Sequence, residues 1–162
     1  MSNPLSSTSG PAMGIDLGEA RVGIAVADSL GMLAHPRETI RRIVAKGAAA
    51  DKPVLARIAE IVHKEKVSII ILGLPRNMDG TEGPAAAKAR AFADGLRATT
   101  SCEVRLFDER LTTVAAQKAL HDNGRNVKQG RAVIDQVAAQ MILQTYLDGE
   151  ALRQPDHGLG AA

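Results

Sequence analysis

Ala12-Met13-Gly14-Ile15-Asp16-Leu17-Gly18-Glu19-Ala20-Arg21-Val22-Gly23-Ile24-Ala25-Val26-Ala27 is the stretch on which the fold turns. Two short apolar runs, 12–17 and 21–27, flank Gly18-Glu19-Ala20, a pattern that predicts a hairpin. An acid, Asp16, stands at the end of the first run, where an ordinary core strand would carry an apolar or small residue.

Downstream the pattern keeps changing period. Residues 32–41 read as a further strand, and Pro36 suits it to a sheet edge because proline cannot donate to a ladder. Val54, Leu55, Ile58, Ile61 and Val62 recur at helical spacing, with Pro53 in the first turn, so 53–65 is a predicted helix. Val67 to Leu72 is continuously apolar, the mark of a strand buried on both faces. Residues 84–98 are Ala-rich and helical, 103–107 form another strand, and helices are expected at 112–122 and 131–148. The order β-β-β-α-β-α-β-α-α predicts an α/β fold with a mixed five-stranded sheet covered by helices.

Two further acids stand out in this frame. Glu109 lies in Asp108-Glu109-Arg110-Leu111-Thr112-Thr113, directly after the last strand, and Asp135 lies in the helical run Val133-Ile134-Asp135-Gln136-Val137. Ligands of open α/β sheets gather at the carboxyl ends of the strands. Parallel first and last strands would therefore bring Asp16 and Glu109 to one end. Asp135 sits about 100° round the helix from Ile134, at the border of an apolar face read as Ile134, Val137, Ala138, Met141 and Thr145. Taken singly, the three read equally as a turn acid, a helix cap and a solvated border acid. Taken together they read as a metal centre, because gathered carboxylates repel unless a cation neutralises them, and Mg²⁺ favours oxygen-only sites.

Composition narrows the alternatives. The chain has 162 residues, 45% hydrophobic and 23% charged, with a formal charge of +2, ordinary values for one globular domain. Residues 1–11 and 150–162 read as tails, leaving 12–149 as the domain. Tyr146, Phe92 and Phe107 are the only aromatics, which argues against a base-stacking single-strand binder. The single Cys102 excludes an internal disulfide framework, and no run suggests a signal peptide or membrane span, so a cytoplasmic protein is expected. His35, His63 and His121 lack metal-ligand spacing.

Four segments in this order, GIDLG (14–18), GLPRNMDGTEG (73–83), DERLTT (108–113) and IDQVAAQMILQTYL (134–147), resemble the YqgF family, also called RuvX. Its members are ribonuclease H-like proteins described as Holliday-junction resolvases or as nucleases maturing the precursor of 16S rRNA. The resemblance implies an Mg²⁺-dependent phosphodiesterase, with Mn²⁺ able to substitute, in which Asp16, Glu109 and Asp135 are both catalytic and metal-binding. Related junction resolvases carry a fourth acid one helical turn beyond the third, where this chain has Ala138.

Structured nucleic acid, a precursor RNA or branched DNA, is then the expected partner, and a homodimer is left open. Asn77 in the 75–83 loop and Arg110 are candidate backbone contacts. So are Lys128 and Arg131, which with Arg125 precede the last helix; Arg37, Arg41, Arg42 and Lys46 form a second basic stretch. Two other classes compete: an ATP-handling protein of the actin and sugar-kinase type, which needs a second lobe, and a non-catalytic nucleic-acid scaffold, whose signature would be a missing acid.

Overall fold

The computed structural model describes residues 10–43, 51–112 and 128–153, with side chains described from residue 133 in the last span. Strands β1 (Ala12–Leu17), β2 (Arg21–Ala27) and β3 (Ala34–Arg41) come first. They are followed by α1 (Lys52–Glu65), β4 (Ile69–Leu74), α2 (Pro84–Thr100), β5 (Glu103–Asp108), a single 3₁₀ turn (Glu109–Leu111) and α3 (Lys128–Arg153). The sheet order is β3-β2-β1-β4-β5. β1–β2 and β2–β3 are antiparallel, whereas β1–β4 and β4–β5 are parallel. β1 is therefore central, with a hairpin partner on one side and a crossover partner on the other.

Side-chain alternation divides the core into two layers. Met13, Ile15, Val22, Ile24, Ile70 and Leu72 meet α1 and α2 through Ile58, Ile61, Phe92 and Leu96. On the opposite face Ala12, Ala25, Ala34 and Ile71 meet α3 through Ala138, Ala139, Ile142 and Leu143. The α3 face of the sheet is lined by small residues, so one helix lies close against it.

Several boundaries differ from the sequence reading for identifiable reasons. β4 begins at Ile69 because Lys66 takes a left-handed conformation (φ 58°) and the Val67 N–H closes α1 by bonding to the Val62 carbonyl. Pro36 does lie on an edge strand, opposite Ala25 where the β2–β3 register slips. α3 continues to Arg153, into the span expected as a tail, and its last turn carries an Arg153–Glu150 pair. The helix expected at 112–122 falls outside the described residues except for Thr112, which follows the 3₁₀ turn in an extended conformation. His121 and the outer parts of both expected tails also lie outside them.

Candidate metal and nucleic-acid site

Asp16 is fully buried, one residue before the end of β1. By alternation it shares a face with Ala12, the face covered by α3. Its antiparallel partner is Gly23 on β2. A Cβ on Gly23 would collide with the carbonyl oxygen of Asp135, so the α3 backbone at Asp135 rests directly on the strand beside Asp16. On the other flank, β1 pairs with β4 through Ile15 and Leu72, and one residue further brings Asp16 level with Gly73. A Cβ on Gly73 would stand 2.7 Å from Glu109 Oε1 and 2.8 Å from Ile142 Cδ1, which places the Glu109 carboxylate over that glycine on the α3 side.

Asp16 on β1, the Glu109 carboxylate over Gly73 on β4 and the Asp135 backbone over Gly23 on β2 thus fall on three neighbouring strands. At about 4.8 Å between strands, this spans roughly 10 Å. Two missing Cβ atoms provide the room: one lets the helix down onto the sheet, the other leaves a cradle for a carboxylate. The donor set is oxygen-only, which fits a hard divalent cation. In the conformation seen, the Asp135 carboxylate is turned to a neighbouring cation, its Oδ2 accepting from Arg21 Nε at 2.7 Å. Among the described residues, no three His, Cys, Asp or Glu side chains are arranged as a ready metal cage.

Asp135 itself corrects the helical-face assignment. It is 8% exposed and belongs with Ala138, Ala139, Ile142 and Leu143, while Ile134, Val137, Met141 and Thr145 are only half-buried. The acid is on the buried stripe of α3 rather than at its border.

A family model described as "RuvX: Holliday junction resolvase" matches residues 10–149. The chain belongs to the RuvX family. Proteins named "Putative pre-16S rRNA nuclease" are similar along nearly the whole domain. The one from Myxococcus xanthus is 47% identical over 144 residues, covering 89% of this chain and 90% of that protein. The one from Halalkalibacterium halodurans is 42% identical over 141 residues, covering 87% and 98%. Thermus thermophilus RuvC in complex with a Holliday junction substrate superimposes with a TM-score of 0.56 at 15% identity, covering 88% of this chain and 96% of that one. That likeness concerns the fold, which is ribonuclease H-like.

The expected nucleic-acid contacts of the RuvX chain fare differently. Asn77 is exposed but bonded within its own loop: its amide donates to Thr81 Oγ1 at 2.9 Å and its backbone N–H to the Thr81 carbonyl at 2.9 Å. Thr81 in turn donates from backbone N–H and hydroxyl to Asp79 Oδ1, at 2.9 and 2.6 Å. Asn77 therefore shapes the loop, and the tip that projects outward is Met78, 97% exposed.

Arg110 binds the Asp108 carboxylate through Nε and Nη2 at 3.0 and 2.7 Å and lies over Gly80, where a Cβ would be 3.3 Å from its Nη1. It clips the loop to the end of β5, beside Glu109, while staying exposed. The Arg110 guanidinium and N–H hold the Asp108 carboxyl below its ordinary range, and the Thr81 hydroxyl and N–H do the same for Asp79.

Lys128 and Arg131 lie in the first turn of α3, where the helix N-terminus favours anions, although their side chains fall outside the described set, as do Arg125 and Lys46. Arg42, read as part of a basic stretch, is instead committed to the hairpin, donating to Asp51 and, at 2.6 Å, to the Gly18 carbonyl. Arg37 is likewise paired with Glu65. Nothing in the sequence pattern marks Arg21, because a cation opening a strand has no motif.

Proposed function

We propose that this RuvX protein is a divalent-metal-dependent endonuclease that trims the precursor of 16S ribosomal RNA in the cytoplasm. The observation that carries the reading is the alignment of Asp16, Glu109 and Asp135 over three neighbouring strands on one face of the sheet. Relatives named as pre-16S rRNA nucleases at 42–47% identity support the substrate.

Asp16, Glu109 and Asp135 would hold Mg²⁺, or Mn²⁺ in its place. When bound, the ion supplies an activated water and charge stabilisation at the leaving oxygen of a phosphodiester. The chain's own work is positional. Buried Asp16 fixes the floor of the site, and Glu109 is held by the 3₁₀ turn at the end of β5. Asp135 is set in depth by helix register. Arg110, exposed beside Glu109, and Lys128 and Arg131 at the start of α3 would meet the RNA backbone, where each cation contact makes binding salt-dependent. Asn77 would contribute indirectly, by holding the loop that faces the same end of the sheet.

The family description favours a second reading, resolution of four-way DNA junctions. One experiment separates them: incubate a 16S precursor RNA and a four-way DNA junction side by side, with Mg²⁺ and with excess chelator, using the wild-type chain and Asp16→Asn. The expected result is RNA cleavage that needs both Mg²⁺ and Asp16. Junction cleavage alone would establish the second reading, and full activity in chelator would end the metal-dependent one.

A further inference from the structure

The contact that ties Asp135 to Arg21 is built into the backbone on both sides. Arg21 opens β2, and its carbonyl accepts from the Gly18 N–H at 2.9 Å, which fixes the residue relative to the end of β1 that carries Asp16. Two residues on, Gly23 supports the backbone of Asp135. The Nε–Oδ2 distance is 2.7 Å and the pair is sheltered, with side chains 29% and 12% exposed. A guanidinium here therefore bonds a carboxylate that the metal reading needs, and each partner's backbone is seated against the β1–β2 hairpin.

Resting on that reading, we propose that Arg21 is a positioning residue that stands in for the metal. It neutralises Asp135 in the metal-free protein, competes with the divalent ion for that carboxylate, and yields it when ion and nucleic acid arrive together. Carboxylates gathered on one face of a sheet repel one another, and Arg21 brings a positive charge to Asp135. The arginine relieves that repulsion, and the same contact weakens binding of the ion alone. Once displaced, the guanidinium remains beside the site with its donors free for a phosphate oxygen, which matches its planar fork. Loading of the ion is thereby linked to arrival of substrate.

The test uses the whole chain, without nucleic acid, as wild type, Arg21→Gln and Arg21→Lys. A further variant, Arg76→Gln, removes a cation that pairs with Glu82 instead of Asp135. Melting is followed in chelator and in saturating Mn²⁺, and Mn²⁺ affinity is measured by calorimetry. The expected result is that Arg21→Gln melts below wild type in chelator and that Mn²⁺ closes the gap. Its affinity for Mn²⁺ alone should rise about tenfold, the scale of a partly screened ion pair. Arg21→Lys should fall between, and Arg76→Gln should bind Mn²⁺ as wild type does.

A melting gap that persists unchanged in Mn²⁺ would make Arg21 merely structural and overturn the proposal. So would unaltered affinity in Arg21→Gln, or an equal gain in Arg76→Gln, which would be long-range charge alone. Mn²⁺ binding by neither wild type nor Arg21→Gln, even with precursor RNA added, would overturn the metal reading together with this one.

Discussion

Asp16 occupies a position where a carboxylate is costly, fully buried in the central strand of the sheet. A buried charge is tolerated only with compensating partners, and the proposed metal ion would be one of them. Replacement by Asn keeps the shape and removes the charge. Asp16→Asn should stay folded, melt at or above the wild-type temperature in chelator, and lose cleavage by about a hundredfold or more, the usual cost of deleting one electrostatic contributor to a transition state. Circular dichroism melts beside a cleavage assay will check both halves. Gly23 makes the complementary point, since it carries no chemistry at all. A methyl group there would meet the backbone of Asp135 rather than a yielding side chain. Gly23→Ala should cost about 1–3 kcal/mol of stability by overpacking and should abolish cleavage even where the protein remains folded. Denaturant unfolding and activity at low temperature separate these effects.

Among the elements, α3 shows where sequence reading reached its limit. Its existence was plain from length and helical spacing, and so was the presence of an acid in it. Which face it buries was not plain, because Ile134, Val137 and Met141 on one side rival Ala138, Ala139, Ile142 and Leu143 on the other. The choice is made by glycines on strands far away in sequence, and no local period records them. Ile142, fully buried against Ile71 and its neighbours, should lose about 2–5 kcal/mol on truncation to Ala, read by urea unfolding.

The strands were legible because their apolar runs are continuous. The 75–83 loop was legible only as a motif, since its shape rests on Asn77 bonding to Thr81 and Thr81 to Asp79. That loop also makes a pH prediction. Asp79 and Asp108 both titrate below their ordinary value of 3.8 in the folded chain. Their contribution to the clip is present above that value and is lost as pH falls through the lowered folded values. Amide signals of Thr81 and Arg110 should thus hold steady from neutral pH to about 4 and move together below 3.8. Thr81→Val should bring the Asp79 midpoint back up towards 3.8, because it removes the largest cause of the shift.

At the scale of the molecule, the site belongs to no single element. One acid comes from the central strand, one from the turn after the edge strand β5, and one from the helix that lies across the sheet. Arg21 adds a fourth element to the same few ångströms. A chain ending at residue 112 would retain every strand but would leave Ala12, Ala25 and Ile71 without their helix. Such a chain should bind a hydrophobic dye and show no cleavage in Mg²⁺, whereas the full chain should exclude the dye and cleave.

The same arrangement has a meaning in time. A ribosome releases β1 early and α3 late, and α3 must settle onto Gly23 before Asp135 has a place to stand. A growing chain therefore carries one acid until residue 109 is made, two until residue 135, and only then its third. For an enzyme whose proposed substrate is the ribosome's own RNA, that order would keep each copy silent until α3 has docked.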